Sequence, residues 1–146
     1  MQLVRCKDAA ELLRDCPVII TATTSAEPVL PDDRALLEGR HFLSIGSFRP
    51  AMQELPTAVY ELAQCVVIDS DAARHEVGDL INPLAAGVLR EDSIYHLAEL
   101  ITCARSVDVR RTTVFKGVGM ALYDLYAANV LVAEAQRAGR GTALDS

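Results

Sequence analysis

The chain has 146 residues, 51% of them apolar and 23% charged, a composition able to bury the core of one domain. Its net charge of −6 argues against nucleic acid or an anionic membrane surface as a partner. No apolar run is long enough to span a bilayer, and the charges at Arg5, Lys7 and Asp8 do not fit a secretory signal, so a cytoplasmic setting is expected.

In chain order, residues 2–6 read as a short edge strand. Asp8 is placed to cap a helix over residues 8–15, with Leu12 and Leu13 facing inward. Residues 17–22, Pro-Val-Ile-Ile-Thr-Ala, form a nearly continuous apolar run, the pattern of a strand buried on both faces. A loop follows over residues 23–30, then a short turn or helix over 32–37. Residues 41–45 read as the next strand, with a loop over 46–50. Pro56 sits in the first turn of a helix over 56–64. Residues 65–68 read as a third buried strand, 71–80 as a helical piece, and 82–89 as a loop or short helix. Residues 92–103 read as a helix with Ile94, Leu97, Leu100 and Ile101 on one side. After a polar connector over 104–111 comes a strand over 112–115, a glycine turn, and a helix from about Val118 to Gln136. That last helix is apolar around most of its circumference, which predicts burial on more than one side.

Strands alternating with helices predict a parallel α/β sheet. Ligands of such sheets bind outside the carboxyl ends of the strands. The loops at those ends are residues 22–25, 46–50, 69–71 and 116–119. The cysteines at 6, 16, 65 and 103 have no C-x-x-C spacing and read as free, mostly buried thiols of a reducing compartment. His41, His75 and His96 show no ligand spacing, so no metal is expected.

Several segments carry a resemblance. Thr113-Val-Phe-Lys-Gly-Val-Gly119 followed by Asp124-Leu125 resembles the carboxyl-terminal signature of the ornithine cyclodeaminase/mu-crystallin family. So, in the family's order, do Ile20-Thr-Ala-Thr-Thr-Ser-Ala-Glu-Pro-Val-Leu30, Ile45-Gly-Ser-Phe-Arg-Pro50, Glu54-Leu55, Val67-Ile-Asp-Ser70, and Glu76-Val-Gly-Asp-Leu80 with Pro83-Leu84 and Gly87. Ordered motifs of this number are far more specific than one glycine pattern.

The resemblance implies a partial Rossmann-like parallel sheet that lacks the first two strands and the G-x-G-x-x-G loop. The sequence has no such loop after a strand; Gly117-Val-Gly119 has Leu122 where the third glycine would stand. The chain is thus expected to be a carboxyl-terminal piece: one domain over 1–146, with the sheet region at 1–116, a long helix at 117–138 and a flexible tail at 139–146. Residues 2–6 and 17–22 would be strands three and four of a 3-2-1-4-5-6 order, leaving 17–22 as a bare apolar edge. NAD or NADP is the cofactor implied for the intact family, with weak or no binding by this chain alone. A small amino acid or imine is the implied substrate, and a homo-oligomer is expected.

By the same resemblance, Thr23, Ile45, Gly46, Ser47 and Gly117 match cofactor-contacting positions, and Val118 a substrate-contacting one. Each has a plainer reading: turn capping for Thr23, a tight turn for Gly46. Gly117 replaces a serine of the family and so removes a hydroxyl. Phe48 stands where cyclodeaminases carry an aspartate, and a phenyl ring accepts no proton. No catalytic residue is therefore assigned, and imine reduction or amino-acid dehydrogenation fits better than ornithine cyclodeamination. Arg49 and Lys116 are candidates to meet a carboxylate or phosphate, against the commoner outcomes of a solvated arginine and a snorkelling lysine. Glu76 and Asp79 match family positions but read equally as helix caps or surface charges. The alternative for the whole chain is a non-catalytic binding or assembly module, or an inactive gene fragment.

Overall fold

The structure, a computed structural model, describes residues 3–142. Five short strands form one parallel sheet: β1 (Val18–Thr21), β2 (His41–Ser44), β3 (Cys65–Ile68), β4 (Ile94–His96) and β5 (Thr113–Lys116). Their spatial order is β1-β2-β5-β3-β4, so the last strand is inserted between β2 and β3. The helices are α1 (Ala9–Asp15), α2 (Arg34–Leu37), α3 (Thr57–Leu62), α4 (Ala73–Glu76), α5 (Gly78–Ala85), α6 (Leu97–Ile101) and α7 (Ala121–Arg137).

Parallel register aligns the side chains in rows across the sheet. Ile19, Phe42, Val114, Val66 and Ile94 stand side by side, all buried in the core with Leu13 of α1, Leu37 of α2, Val59 of α3, Ala73 of α4 and Leu80 of α5. Burying a side chain of that size contributes about 1.5–3 kcal/mol, so this face holds the fold. The opposite face carries Ile20, Leu43, Phe115, Val67 and Tyr95 in register. It is buried at Val67 but 61% exposed at Ile20.

The sheet corrects several expectations. Residues 3–6 are irregular, with Leu3 and Val4 exposed; Gln2, where the expected strand began, lies outside the described residues, as do 143–146 of the tail. β1 is buried on one face only, because none of the described residues covers Val18 and Ile20. As expected, it is an edge strand. Residues 92–103 are not one helix. A 3-10 turn at Glu91–Ser93 leads into β4 and then α6, because Ile94-Tyr-His fills the slot beside β3 and pairing there outweighs the helical spacing. The helical piece at 71–80 is two helices broken at Val77, whose backbone is extended, and the second continues through Ala85. Pro56 caps α3 from outside rather than sitting in its first turn. The final helix begins at Ala121 and none of its residues is buried. Leu125, Tyr126, Val130 and Leu131 are more than half exposed. Of the cysteines only Cys65 is buried, and all four are free. Asp8 does cap α1, accepting from the Glu11 N–H, and Leu13 is buried while Leu12 is half-buried.

Candidate functional site

Two residues beyond the apolar row, each strand ends in a residue on the same face: Thr21, Ser44 and Lys116 stand side by side, with Ile68 next. Side chains alternate along a strand, so positions that follow inward-facing Ile19, Phe42 and Val114 must also point inward. They carry polar groups into the interior. Thr21, Ser44, Lys116, Glu54 and Asp79 are all buried.

Glu54 is the acceptor for the carboxyl ends of two strands, β1 and β2. Its Oε2 accepts from Thr21 Oγ at 3.0 Å, Ser44 Oγ at 2.9 Å and the Gly46 N–H at 2.8 Å. Its Oε1 accepts from the Thr23 N–H and from Thr23 Oγ at 2.9 Å. Burial alone pushes this carboxyl up; the hydrogen bonds from Thr23, Gly46 and Ser44 outweigh it and hold Glu54 below the usual carboxylate range.

Asp79, near the start of α5, is the second hub. Its Oδ1 accepts from the N–H groups of Glu54 and Leu55, both at 3.0 Å, and from the Tyr60 hydroxyl at 3.3 Å. Its Oδ2 accepts from the hydroxyls of Ser44 and Ser47. Ser44 has one proton, so it serves Glu54 or Asp79 at any instant. Lys116 donates to the Ser44 carbonyl at 3.1 Å and lies 4.0 Å from Asp79. Burial pulls the Lys116 ammonium down from its usual range, opposed by the charges of Asp79, Glu54 and Asp69. Burial, with Asp79 alongside, pushes the Tyr60 phenol well up.

A third carboxylate shapes the last loop. Asp69, just after β3, accepts from the N–H groups of Val118 and Gly119 at 3.1–3.2 Å, and the Gly117 N–H donates to the Ser44 carbonyl. The four loops at the carboxyl ends of β1, β2, β5 and β3 thus form one continuous rim.

The positions matched to cofactor and substrate all lie on this rim or just beneath it, whereas Glu76 is exposed at the end of α4. Thr23 is exposed, yet its N–H and hydroxyl are both given to Glu54. Ile45 is exposed. Gly46 fits where a Cβ would sit 2.1 Å from the Thr23 backbone, so the glycine serves the contact between two loops. Ser47 is buried with its hydroxyl on Asp79. Gly117 is buried, with Ile45 and Asp69 closing over the place of its missing Cβ, and Val118 is half-buried beside it. Phe48 is 48% exposed and carries the Arg49 guanidinium 5.1 Å above its ring.

Asp79 and Lys116 overturn their surface readings: Asp79 is no exposed cap, and Lys116 does not snorkel but reaches a carboxylate of its own chain. Glu54 drew no role from the sequence. The period-two alternation of β2 and β5 does point Ser44 and Lys116 inward; the acids that meet them come from a loop and a helix, whose facing no local pattern gives.

A dinucleotide needs a slot for the nicotinamide and free N–H groups for the pyrophosphate. Exposed Ile45 and half-buried Val118, beside Gly117, suit the first. The N–H groups of Thr23, Gly46, Gly117, Val118 and Gly119 are all spent within the chain. These residues therefore fit the nicotinamide end of a dinucleotide and not its pyrophosphate.

Comparison with known proteins gives the chain's family. The model of the ornithine cyclodeaminase/mu-crystallin family matches residues 1–139. A Delta(1)-pyrroline-2-carboxylate reductase of Bacillus cereus is 35% identical over 95% of this chain, which spans 43% of that relative. The ketimine reductase mu-crystallin of Mus musculus is 34% identical over 86% of the chain, which spans 38% of it. The solved structure of Thermococcus litoralis Delta(1)-pyrroline-2-carboxylate reductase, in complex with NADH and L-proline, superposes with a TM-score of 0.83 at 30% identity, covering 95% of this chain and 44% of that one. The chain thus spans less than half the length of the relatives it matches, and it belongs to the ornithine cyclodeaminase/mu-crystallin family.

Proposed function

We propose that this chain forms the nicotinamide-side part of an NAD(P)-dependent reductase acting on a small cyclic imine that bears a carboxylate. The observation that carries the reading is the rim: loops from four strand ends, at the places where the family signatures fall, locked together by Glu54, Asp79 and Asp69. Delta(1)-pyrroline-2-carboxylate reductases among the relatives support the imine. NAD(P)H, when bound, supplies the hydride.

This chain's own residues orient rather than react. Thr23, Ile45, Gly46 and Gly117 line the slot, Ser47 fixes its floor, and Val118 sets the substrate side. Phe48 offers no group to accept a proton, which disfavours cyclodeamination. A cytoplasmic setting suits the four free thiols, and a second copy of the chain is the proposed partner of the open outer face of β1.

The test joins this chain to the amino-terminal portion of the Bacillus cereus relative that it does not span. The expected outcome is NAD(P)H-dependent reduction of Delta(1)-pyrroline-2-carboxylate. Formation of proline from ornithine by the same chimera would sink the assignment to the reducing branch.

A further inference from the structure

We infer that Glu54 is a positioning residue: through its two carboxylate oxygens it clamps the loops after β1 and β2 to each other and so sets the wall of the proposed nicotinamide slot. The clamp is local and specific. Five donors converge on one side chain, and they come from Thr21 and Thr23 at the carboxyl end of β1 and from Ser44 and Gly46 at that of β2. The two loops touch closely enough at Gly46 and Thr23 that no Cβ fits between them.

Stability alone does not call for a carboxylate here. A buried charge loses its hydration, and a well-packed apolar group of the same volume often serves a core as well or better. A carboxylate does what a hydrocarbon cannot: it fixes two loop N–H groups by direction as well as by contact. Asp79 holds the Glu54 backbone from behind at 3.0 Å, and Lys116 ties Ser44 of the same cluster to β5. The acid is therefore fixed before any ligand arrives, as preorganised sites require. The slot in question is that of the function proposed above, and the inference rests on that reading.

The test is amide hydrogen exchange on the whole chain, read residue by residue without cofactor, in the native protein and in Glu54→Gln. The amide nitrogen of glutamine cannot accept, so donors at Thr23 or Gly46 lose a partner. Exchange at Thr23 and Gly46 is expected to accelerate about a hundredfold more than at Val66 and Ile68 of β3. Equal acceleration everywhere would reduce Glu54 to a structural residue and overturn the proposal, as would no change at the two loops. Ser44→Ala is the milder second variant, should Glu54→Gln not fold. It keeps every charge and removes one hydroxyl shared between Glu54 and Asp79, and it is expected to loosen Gly46 about tenfold more than β3; uniform loosening, or none at Gly46, again overturns the clamp. A clamp confirmed by exchange beside a chimera inactive on the imine would reject the catalytic reading and leave the loop-holding role standing.

Discussion

Among single residues, Glu54 makes the stability of the chain depend on pH in a defined sense. Its carboxyl is held below the ordinary carboxylate range in the folded chain, so the folded state binds fewer protons than the unfolded state as acid is added. A depressed carboxyl contributes its full stability above the ordinary carboxylate pKa. That contribution drains away as the pH falls through the folded value. The thermal midpoint of the native chain should therefore drop with acid below about pH 4, and this part of the drop should be missing in Glu54→Gln, which starts lower at neutral pH by about 2–4 kcal/mol. Parallel acid profiles for the two proteins would mean that Glu54 is not the linked group. Its neighbours matter to the reading: Asp79, Lys116 and Tyr60 all belong to the same cluster, and each variant must be compared at matched pH.

Among elements, the decisive fact is that β1 is covered on one face only. Ile19 and Ile20 are adjacent in β1, yet the first is 2% exposed and the second 61%. Ile19→Ala should cost about 2–5 kcal/mol, as a core deletion does. Ile20→Ala should leave the unfolding of dilute chain nearly unchanged and weaken self-association, because an apolar edge and face invite a second copy. Thermal unfolding and sedimentation over a concentration series read the two effects separately; equal losses of stability would show that the outer face is covered in the single chain. This asymmetry also explains what the sequence disclosed. The apolar run at 17–22 announces a strand, but alternation cannot reveal whether a second layer exists to cover it. The same holds for α7, whose apolar circumference speaks of burial while its covering surface is not among the described residues. β4 was hidden for a different reason: Ile94, Leu97 and Ile101 match a helical period, and only the vacant place beside Val66 turns the first of them into a strand. The loops at the strand ends were legible because a parallel sheet places them by rule.

For the whole molecule, cofactor affinity follows from which end of a dinucleotide the chain can hold. A micromolar complex requires about 8 kcal/mol of net binding free energy. In doubly wound folds a large share comes from a pyrophosphate seated on free N–H groups at a helix start, after a glycine-rich turn. This chain carries no G-x-G-x-x-G sequence, and the rim N–H groups that would otherwise face a phosphate already serve Glu54, Asp69 and Ser44. What remains is one apolar wall at Ile45 and Val118, and the gain from covering a single ring there must first offset the freedom lost on association. The net charge of −6 adds a long-range penalty for an anionic ligand rather than a gain. Calorimetric titration of the chain with NADH and with NADPH should therefore give no saturable binding in the micromolar range for either. Tight binding would require a phosphate site that the rim does not offer, and would overturn the proposal that this chain holds only the nicotinamide end.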